Sequence, residues 1–397
     1  MPITSSIGLL ANALKDYYLD PITKMINEDS GPVYAAIEKS SENIVANEIV
    51  FAMQYGRHGG VGAIGEMDDL PDPAPRQYAQ GRTTLKNLAA TINFTEKLML
   101  TSQNNQAAFI DAVSTQMEDI VRDAKDMVRR NLMGKADGVM DEVSAAVSGA
   151  KNVVVKGNIK KFYVGQVVDI FSVSGTTVTK AVNGKAIVDV DYTTNTISFA
   201  DNVTVGANDK ISLHNNYNNE LTGLGDILTP NTTIYGIDRS TNKWYNPQVY
   251  DKTNSGSTVA FSSLYLQEAI DDIDDFAGTK PDFITCNAGI QRAYINEQNT
   301  YKRNVEYKDI DGGYRTMAYN DVAISKEKYM PSNTIYMLTT EFFTLAQLRD
   351  WHWMDEDGNM LKWISRKAAY EAALTKYCEL LCKMPSAQGV ITGITEV

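Results

Sequence analysis

Between Asn104 and Leu132 the apolar residues recur at steps of three and four: Phe109, Val113, Met117, Ile120, Val121, Ala124, Val128 and Leu132. That spacing lays one apolar stripe along an α-helix, and about 30 residues at 1.5 Å each make a rod of roughly 45 Å. Met133-Gly134 should end it, because glycine readily takes the left-handed C-cap conformation. The segment before the helix has the opposite character. From Gly56-Arg57-His58-Gly59-Gly60-Val61-Gly62 through Leu70-Pro71-Asp72-Pro73-Ala74-Pro75 there is almost nothing large and apolar to bury. An arm of this composition over 56–84 cannot fold alone, and its natural cover is a second copy of the chain. Leu88–Thr95 reads as a strand returning from the arm. Residues 1–50 read as mostly helical, broken at Asp20-Pro21 and Ser30-Gly31-Pro32, with Ile7, Leu10 and Leu14 on one face.

Near residue 150 the pattern changes to short β-strands: 153–155, 167–171, 186–190, 196–199 and 210–213. Gly175, Asn183-Gly184 and Thr194-Asn195 punctuate them as turns. Five strands at this spacing predict a small barrel or sandwich inserted into a chain that afterwards resumes as mixed helix and strand. Ser263–Phe276 and Ala288–Asn299 read as helices, and 283–286, 321–324 and 334–338 as buried strands. Lys367–Lys383 reads as a further helix stopped by Pro385, and Gly389–Thr395 as a last strand.

Composition narrows the function classes. With 397 residues and 43% hydrophobic content the chain can bury a large core. No apolar run approaches the roughly 18 residues of a membrane-spanning helix. The start, Met1-Pro2-Ile3-Thr4-Ser5-Ser6, lacks a signal peptide's basic and apolar regions, so the protein is expected to stay where it is made. Cys286, Cys378 and Cys382 are too few for a disulfide framework and suit a reducing cytoplasm. A net charge of −12 is poorly suited to gripping DNA, which requires lysine and arginine to displace counterions. Such a chain can still surround DNA without holding it.

The motifs that suggest chemistry have plainer readings. Gly60-Val61-Gly62-Ala63-Ile64-Gly65 matches a dinucleotide fingerprint, but Pro71, Pro73 and Pro75 follow where a phosphate-receiving helix should start. Gly184-Lys185 lacks the earlier glycine of a phosphate loop, and Asp355-Glu356-Asp357-Gly358 lacks the closing glutamate of a calcium loop. Glu268, Asp271, Asp272, Asp274 and Asp275 read as the wet face of an amphipathic helix, with Leu264, Ala269, Ile270, Ile273 and Phe276 on the other. Trp351, Trp353 and Trp363 read as core or subunit interface. His58, His214 and His352 are not joined in sequence to any nucleophile. The expectation is no catalytic residue, no cofactor and no metal: the chain is not an enzyme.

The order of interrupted arm, glycine- and proline-rich loop, long helix and mixed remainder resembles the major capsid proteins of tailed bacteriophages, with the Hong Kong 97-like fold. The most specific stretch is Leu221-Thr222-Gly223-Leu224-Gly225-Asp226-Ile227-Leu228, followed by Tyr235-Gly236-Ile237-Asp238-Arg239-Ser240-Thr241-Asn242-Lys243-Trp244. Pro281-Asp282-Phe283-Ile284 and the stretch from Asp321 to Thr392 also fit.

The resemblance implies an α+β phage capsid fold: an N-terminal arm over 1–50, an extended loop over 51–100, and a peripheral domain with its spine helix over 101–150. An all-β inserted domain over 151–215 and an axial domain returning to the peripheral domain over 216–397 complete it. It implies hexamers and pentamers closing an icosahedral shell around double-stranded DNA in a virion, made in the bacterial host cytoplasm. A separate scaffolding protein and a portal are the expected assembly partners, and no membrane is involved. Gly59, Gly60, Gly62, Gly65, Pro71, Pro73, Pro75, Arg239 and Trp244 are the candidate assembly-interface residues. Some members crosslink a loop lysine, for which Lys86 is the nearest candidate, without a supporting local motif. Two alternatives stand beside this reading: an encapsulin-type compartment, which shares the fold, and a glycan-binding surface protein built around 151–215.

Overall fold

In the computed structural model the long helix spans Gln106–Met133. The structure describes residues 31–397 apart from 43, 46–47, 57, 67–68, 70, 73–74, 98–105, 176, 301–305, 311–313 and 356–361, and no side chain at 106–118, 174, 306–310 or 314–316. The N-terminal stripe of Ile7, Leu10 and Leu14 lies outside these residues, as do the side chains of Phe109, Val113 and Met117. In the rest of the helix the predicted stripe is buried at Val121, Ala124, Val128 and Leu132, each at most 6% exposed, and half-buried at Ile120. On the opposite side Arg122 is well exposed and pairs with Asp119.

Gly134 ends the helix, though without a left-handed backbone. The close fit lies across from it: a Cβ on Gly225 would sit 2.7 Å from the Gly134 carbonyl, and one on Gly223 would sit 2.5 Å from the Asn131 carbonyl. The Gly225 N–H donates to Gly134 O at 3.0 Å, so the turn at 223–228 caps the helix by backbone contact that side chains would prevent.

The helix packs against a five-stranded sheet. Ala369–Cys382 is its central strand, flanked by Phe343–Trp353 on one side and Lys86–Thr95 on the other; Glu38–Ser40 and Lys362–Trp363 complete it. The helix expected over Lys367–Lys383 is therefore a strand. Its alanines, leucines, glutamates and lysines favour a helix in isolation. Here Ala372, Leu374, Lys376, Cys378, Leu380 and Cys382, two apart, all point into buried surroundings, and pairing on both edges overrides the local preference. Cys378 and Cys382, four apart, share a face through strand period rather than helix period.

The helical expectation for 1–50 also fails after Ala36. Pro32–Ala36 is one helical turn, and Glu38–Ser40, Ile44–Val45 and Glu48–Tyr55 are strands.

A seven-stranded sheet forms a second layer, in the order Gln248–Asp251, Gly389–Thr392, Thr334–Leu338, Phe283–Cys286, Val322–Lys326, Tyr314–Tyr319 and Glu306–Ile310. Helices Ser263–Ala277 and Ala288–Thr300 accompany it. The first begins at an Ser262 hydroxyl cap and ends at Gly278, φ 71°. Leu266, Ala269, Ile270 and Ile273 are its buried face. Leu264 and Phe276, expected on that face, are 73% and 60% exposed. The acidic run is the wet side, as expected.

The β segment begins earlier than 151. Val139–Glu142, Val147–Val154, Val167–Ser174, Thr177–Asp191, Thr196–Val205 and Lys210–Leu213 form a six-stranded antiparallel sheet. A bridge between Val143 and Val155 closes its two ends into a barrel. Its interior, including Val153, Val168, Ile170, Ile187, Ile197, Phe199 and Ile211, is a core of its own. Asn183-Gly184, expected as a turn, is a bulge inside one long strand, with the Gly184 N–H turned to the Asp169 carboxylate at 2.7 Å. The chain enters and leaves the barrel side by side, Asn218 N donating to Asp137 O at 3.0 Å.

Candidate functional site

The arm is a hairpin rather than an unstructured loop. Glu48–Tyr55 pairs antiparallel with Gln77–Thr84, from Glu48↔Thr84 to Tyr55↔Gln77. Strand alternation sends Ile49, Phe51 and Met53 inward, at 0%, 4% and 2% exposure. Gly81 is required opposite them, since a Cβ there would lie 2.7 Å from the Phe51 ring. Beyond Tyr55 most of the described residues of the connecting stretch are exposed. Gly59, Gly62, Gly65 and Pro75 are exposed, Gly60 and Pro71 half-buried, and Pro73 lies outside the described residues. Val61 is 84% exposed and Ile64 49%, apolar surface that a single chain leaves in water.

The base of the hairpin rests on the Tyr235–Trp244 stretch, each of whose distinctive residues has a mechanical task. Tyr235 (φ 51°) and Gly236 (φ 78°) form the tight turn between the two-residue strands Thr233–Ile234 and Ile237–Asp238. The Asp238 carboxylate accepts the Ser240 N–H at 2.8 Å, the Ser240 hydroxyl at 2.6 Å and the Thr241 hydroxyl at 3.1 Å. The Asn242 amide donates to Asp238 O at 3.0 Å. The phenol of Tyr235 donates to Leu380 O and that of Tyr245 to Cys382 O, each at 2.6 Å, fastening the stretch to the central strand. Burial pushes both phenols well above their ordinary pKa, so they remain donors.

Arg239 is the knot. Its Nη1 donates to Ile227 O at 2.7 Å, its Nη2 to Asp226 O at 2.7 Å and to Thr229 O and Thr232 Oγ1 at 2.5 Å, and its Nε to Thr232 O at 3.1 Å. It is 0% exposed. Burial draws the guanidinium below its ordinary pKa, against the influence of Tyr245, Tyr235 and Asp226. The expectation that Arg239 faces a neighbouring subunit is therefore corrected: its donors are spent on groups of its own chain, the two Nη2 hydrogens being shared among Asp226 O, Thr229 O and Thr232 Oγ1. Trp244 is half-buried and stacks on Tyr55, ring centroids 4.4 Å apart and planes 7° from parallel. Phe51 meets Tyr235 edge-on at 5.3 Å, and the Arg82 N–H donates to Tyr235 O at 3.0 Å.

Thus the structure joins arm and motif, which the sequence treats as separate features, through Phe51, Tyr55 and Arg82. Hairpin alternation signals Phe51 as inward, whereas nothing local marks Tyr55 as a partner of Trp244. The long helix is pinned separately. Asp126 accepts Lys328 Nζ at 2.7 Å and the Tyr329 hydroxyl at 2.8 Å. Burial would raise its carboxyl, but these bonds outweigh it and hold the group below the usual range. Lys376, wholly buried, donates to the Tyr34 hydroxyl and to Asp350 Oδ1, both at 2.7 Å, tying the turn at Pro32–Ala36 to the sheet.

Among the described residues no group of three or more His, Cys, Asp or Glu is placed to hold a metal ion, and no helix is long and apolar enough to cross a membrane. Cys286, Cys378 and Cys382 are buried, and burial pushes each thiol up to about 12.

The fold has solved counterparts. The capsid chain of cyanophage A-1(L) superposes with a TM-score of 0.54 at 10% sequence identity, covering 94% of this chain and 93% of that one. The capsid of a native GTA particle (TM-score 0.47, 12% identity, 92% and 91% covered) and an encapsulin complex from Synechococcus elongatus (0.45, 10%, 92% and 89%) superpose less well. No protein-family model matches the chain, and no curated sequence does. The protein has the fold of a phage capsid chain.

Proposed function

We propose that this is a major capsid protein that assembles with copies of itself, as hexamers and pentamers, into a closed icosahedral shell around double-stranded DNA. The observation that carries the reading is the cyanophage capsid fold, matched along 94% of the chain. The arm supports it, because Val61 and Ile64 present apolar surface that a neighbouring copy would remove from water. In this reading the long helix is the spine of the peripheral domain, the seven-stranded sheet belongs to the axial domain, and the barrel is an insertion on the shell surface. A separate scaffolding protein and a portal take part in assembly. The net charge of −12 suits a wall that confines DNA without binding it.

The arm tests the mechanism. Deleting residues 59–75 should leave a folded subunit, since the hairpin pairing and its buried residues lie outside the deletion. Sedimentation should then show subunits or small oligomers in place of shells. Shells of normal stability from the deleted chain would refute an arm that acts by covering a neighbour.

A further inference from the structure

Glu379 stands where three parts of the chain meet. The ladder between Ala369–Cys382 and the arm's return strand ends at Cys378↔Lys86, and the next side chain, Glu379, is 0% exposed. Its Oε1 accepts the N–H of Thr222 at 2.8 Å, on the segment coming back from the barrel. Its Oε2 is buried without a hydrogen-bond partner. The charged and titratable groups acting around it are Lys86 from the return strand, Asp226 from the turn at 223–228, Tyr235 from the platform beneath the arm, and Cys378 on its own strand. Of these, Lys86 alone is a cation, and its Nζ is engaged by Asn218 O at 3.3 Å. Tyr235 is committed to Leu380 O, and Asp226 accepts the Ala136 N–H.

A neutral carboxyl is tolerable in such a place, whereas a carboxylate held by hydrogen bonds from Thr222 alone is not. Burial pushes the Glu379 carboxyl up to about 7, partly offset by Thr222 and Lys86. We propose that Glu379 is a protonation-dependent latch: neutral, it holds the barrel-return segment against the arm base; ionised, it draws Lys86 away from Asn218 and loosens that junction. The proton leaves to solvent, and no other bond is made or broken. This inference goes beyond the shell reading and can be tested in the isolated chain.

The test is hydrogen–deuterium exchange of the full-length chain from pH 5 to pH 8, corrected for intrinsic exchange. The sign follows from linkage: an acid whose folded pKa is raised contributes stability below its unfolded pKa and loses it as pH rises through the folded value. Wild-type segments 84–88 and 216–222 should open by up to roughly tenfold more per pH unit above pH 5, levelling off near pH 7. Glu379→Gln should keep both segments slow throughout, because an amide cannot ionise. Lys86→Met, a change at a partly exposed site, should move the levelling point to higher pH by removing the cation. A flat wild-type profile, the same profile in Glu379→Gln, or an unmoved profile in Lys86→Met would each overturn the latch. If Glu379→Gln does not fold, the wild-type and Lys86→Met profiles decide it.

Discussion

Trp244 lies flat on Tyr55, 4.4 Å between ring centroids, and this contact joins the outgoing arm strand to the platform that Arg239 ties together. Offset stacks of this kind contribute about 0.5–1.5 kcal/mol beyond the area they bury. Trp244→Ala should therefore destabilise the chain by roughly 1–3 kcal/mol in urea unfolding and raise exchange at Tyr55 and its hairpin partner Gln77. Trp244→Phe should recover much of the loss. An alanine variant as stable as the wild type would mean the stack does not anchor the arm.

Arg239→Lys keeps the charge but replaces a five-donor fork with a point ammonium. Several carbonyls at 226–232 would lose their partner, at a cost of roughly 2–4 kcal/mol. The shift in the unfolding midpoint at unchanged slope measures it. A loss below about 0.5 kcal/mol, within the usual range for surface substitutions, would contradict the interior role assigned to this residue.

These two residues show what the sequence reveals and what it withholds. The long helix, five of the six barrel strands and both helices of the second layer were legible because their periodicities are local and agree with their surroundings. The Tyr235–Trp244 stretch stood out as distinctive, yet its polar residues are as compatible with an interface as with an interior knot. Only the positions of Ile227 O and Thr229 O decide between them. Ala369–Cys382 misleads for a related reason: its composition favours a helix, and the strands that override it lie over 250 residues away at 86–95 and nearby at 343–353. Glu379 carried no local signal, since its isolation depends on Thr222 and Lys86 coming from different parts of the chain.

In the barrel, Asp169 is 0% exposed and accepts Lys180 Nζ and His214 Nδ1 at 2.9 Å, Asn215 N at 3.1 Å and Gly184 N at 2.7 Å. Burial alone would raise its carboxyl, but these bonds hold it well below the ordinary range. A lowered folded pKa means that the stabilisation is complete above the unfolded value of about 3.9 and is lost as pH falls below it. The barrel's melting temperature should drop below about pH 4 in the wild type. Asp169→Asn should melt lower at neutral pH and show a weaker acid-dependent fall. An identical pH profile in both would contradict the assignment.

The barrel's adjoining ends carry a further prediction. Because Asn218 N meets Asp137 O at 3.0 Å and the barrel has a separate core, replacing residues 139–215 with a short Gly-Ser linker should leave the remaining chain folded. Near-native cooperative unfolding of the shortened chain is the expected result. A molten or aggregated product would show that the barrel is needed to complete the rest.

The central claim is that copies of this chain cover one another and close. Electron microscopy of the purified full-length protein, with and without a candidate scaffolding protein, tests it most directly. The account predicts closed, uniformly curved shells with the 56–76 segment lying on an adjacent subunit. A chain that stays monomeric under every assembly condition would contradict it.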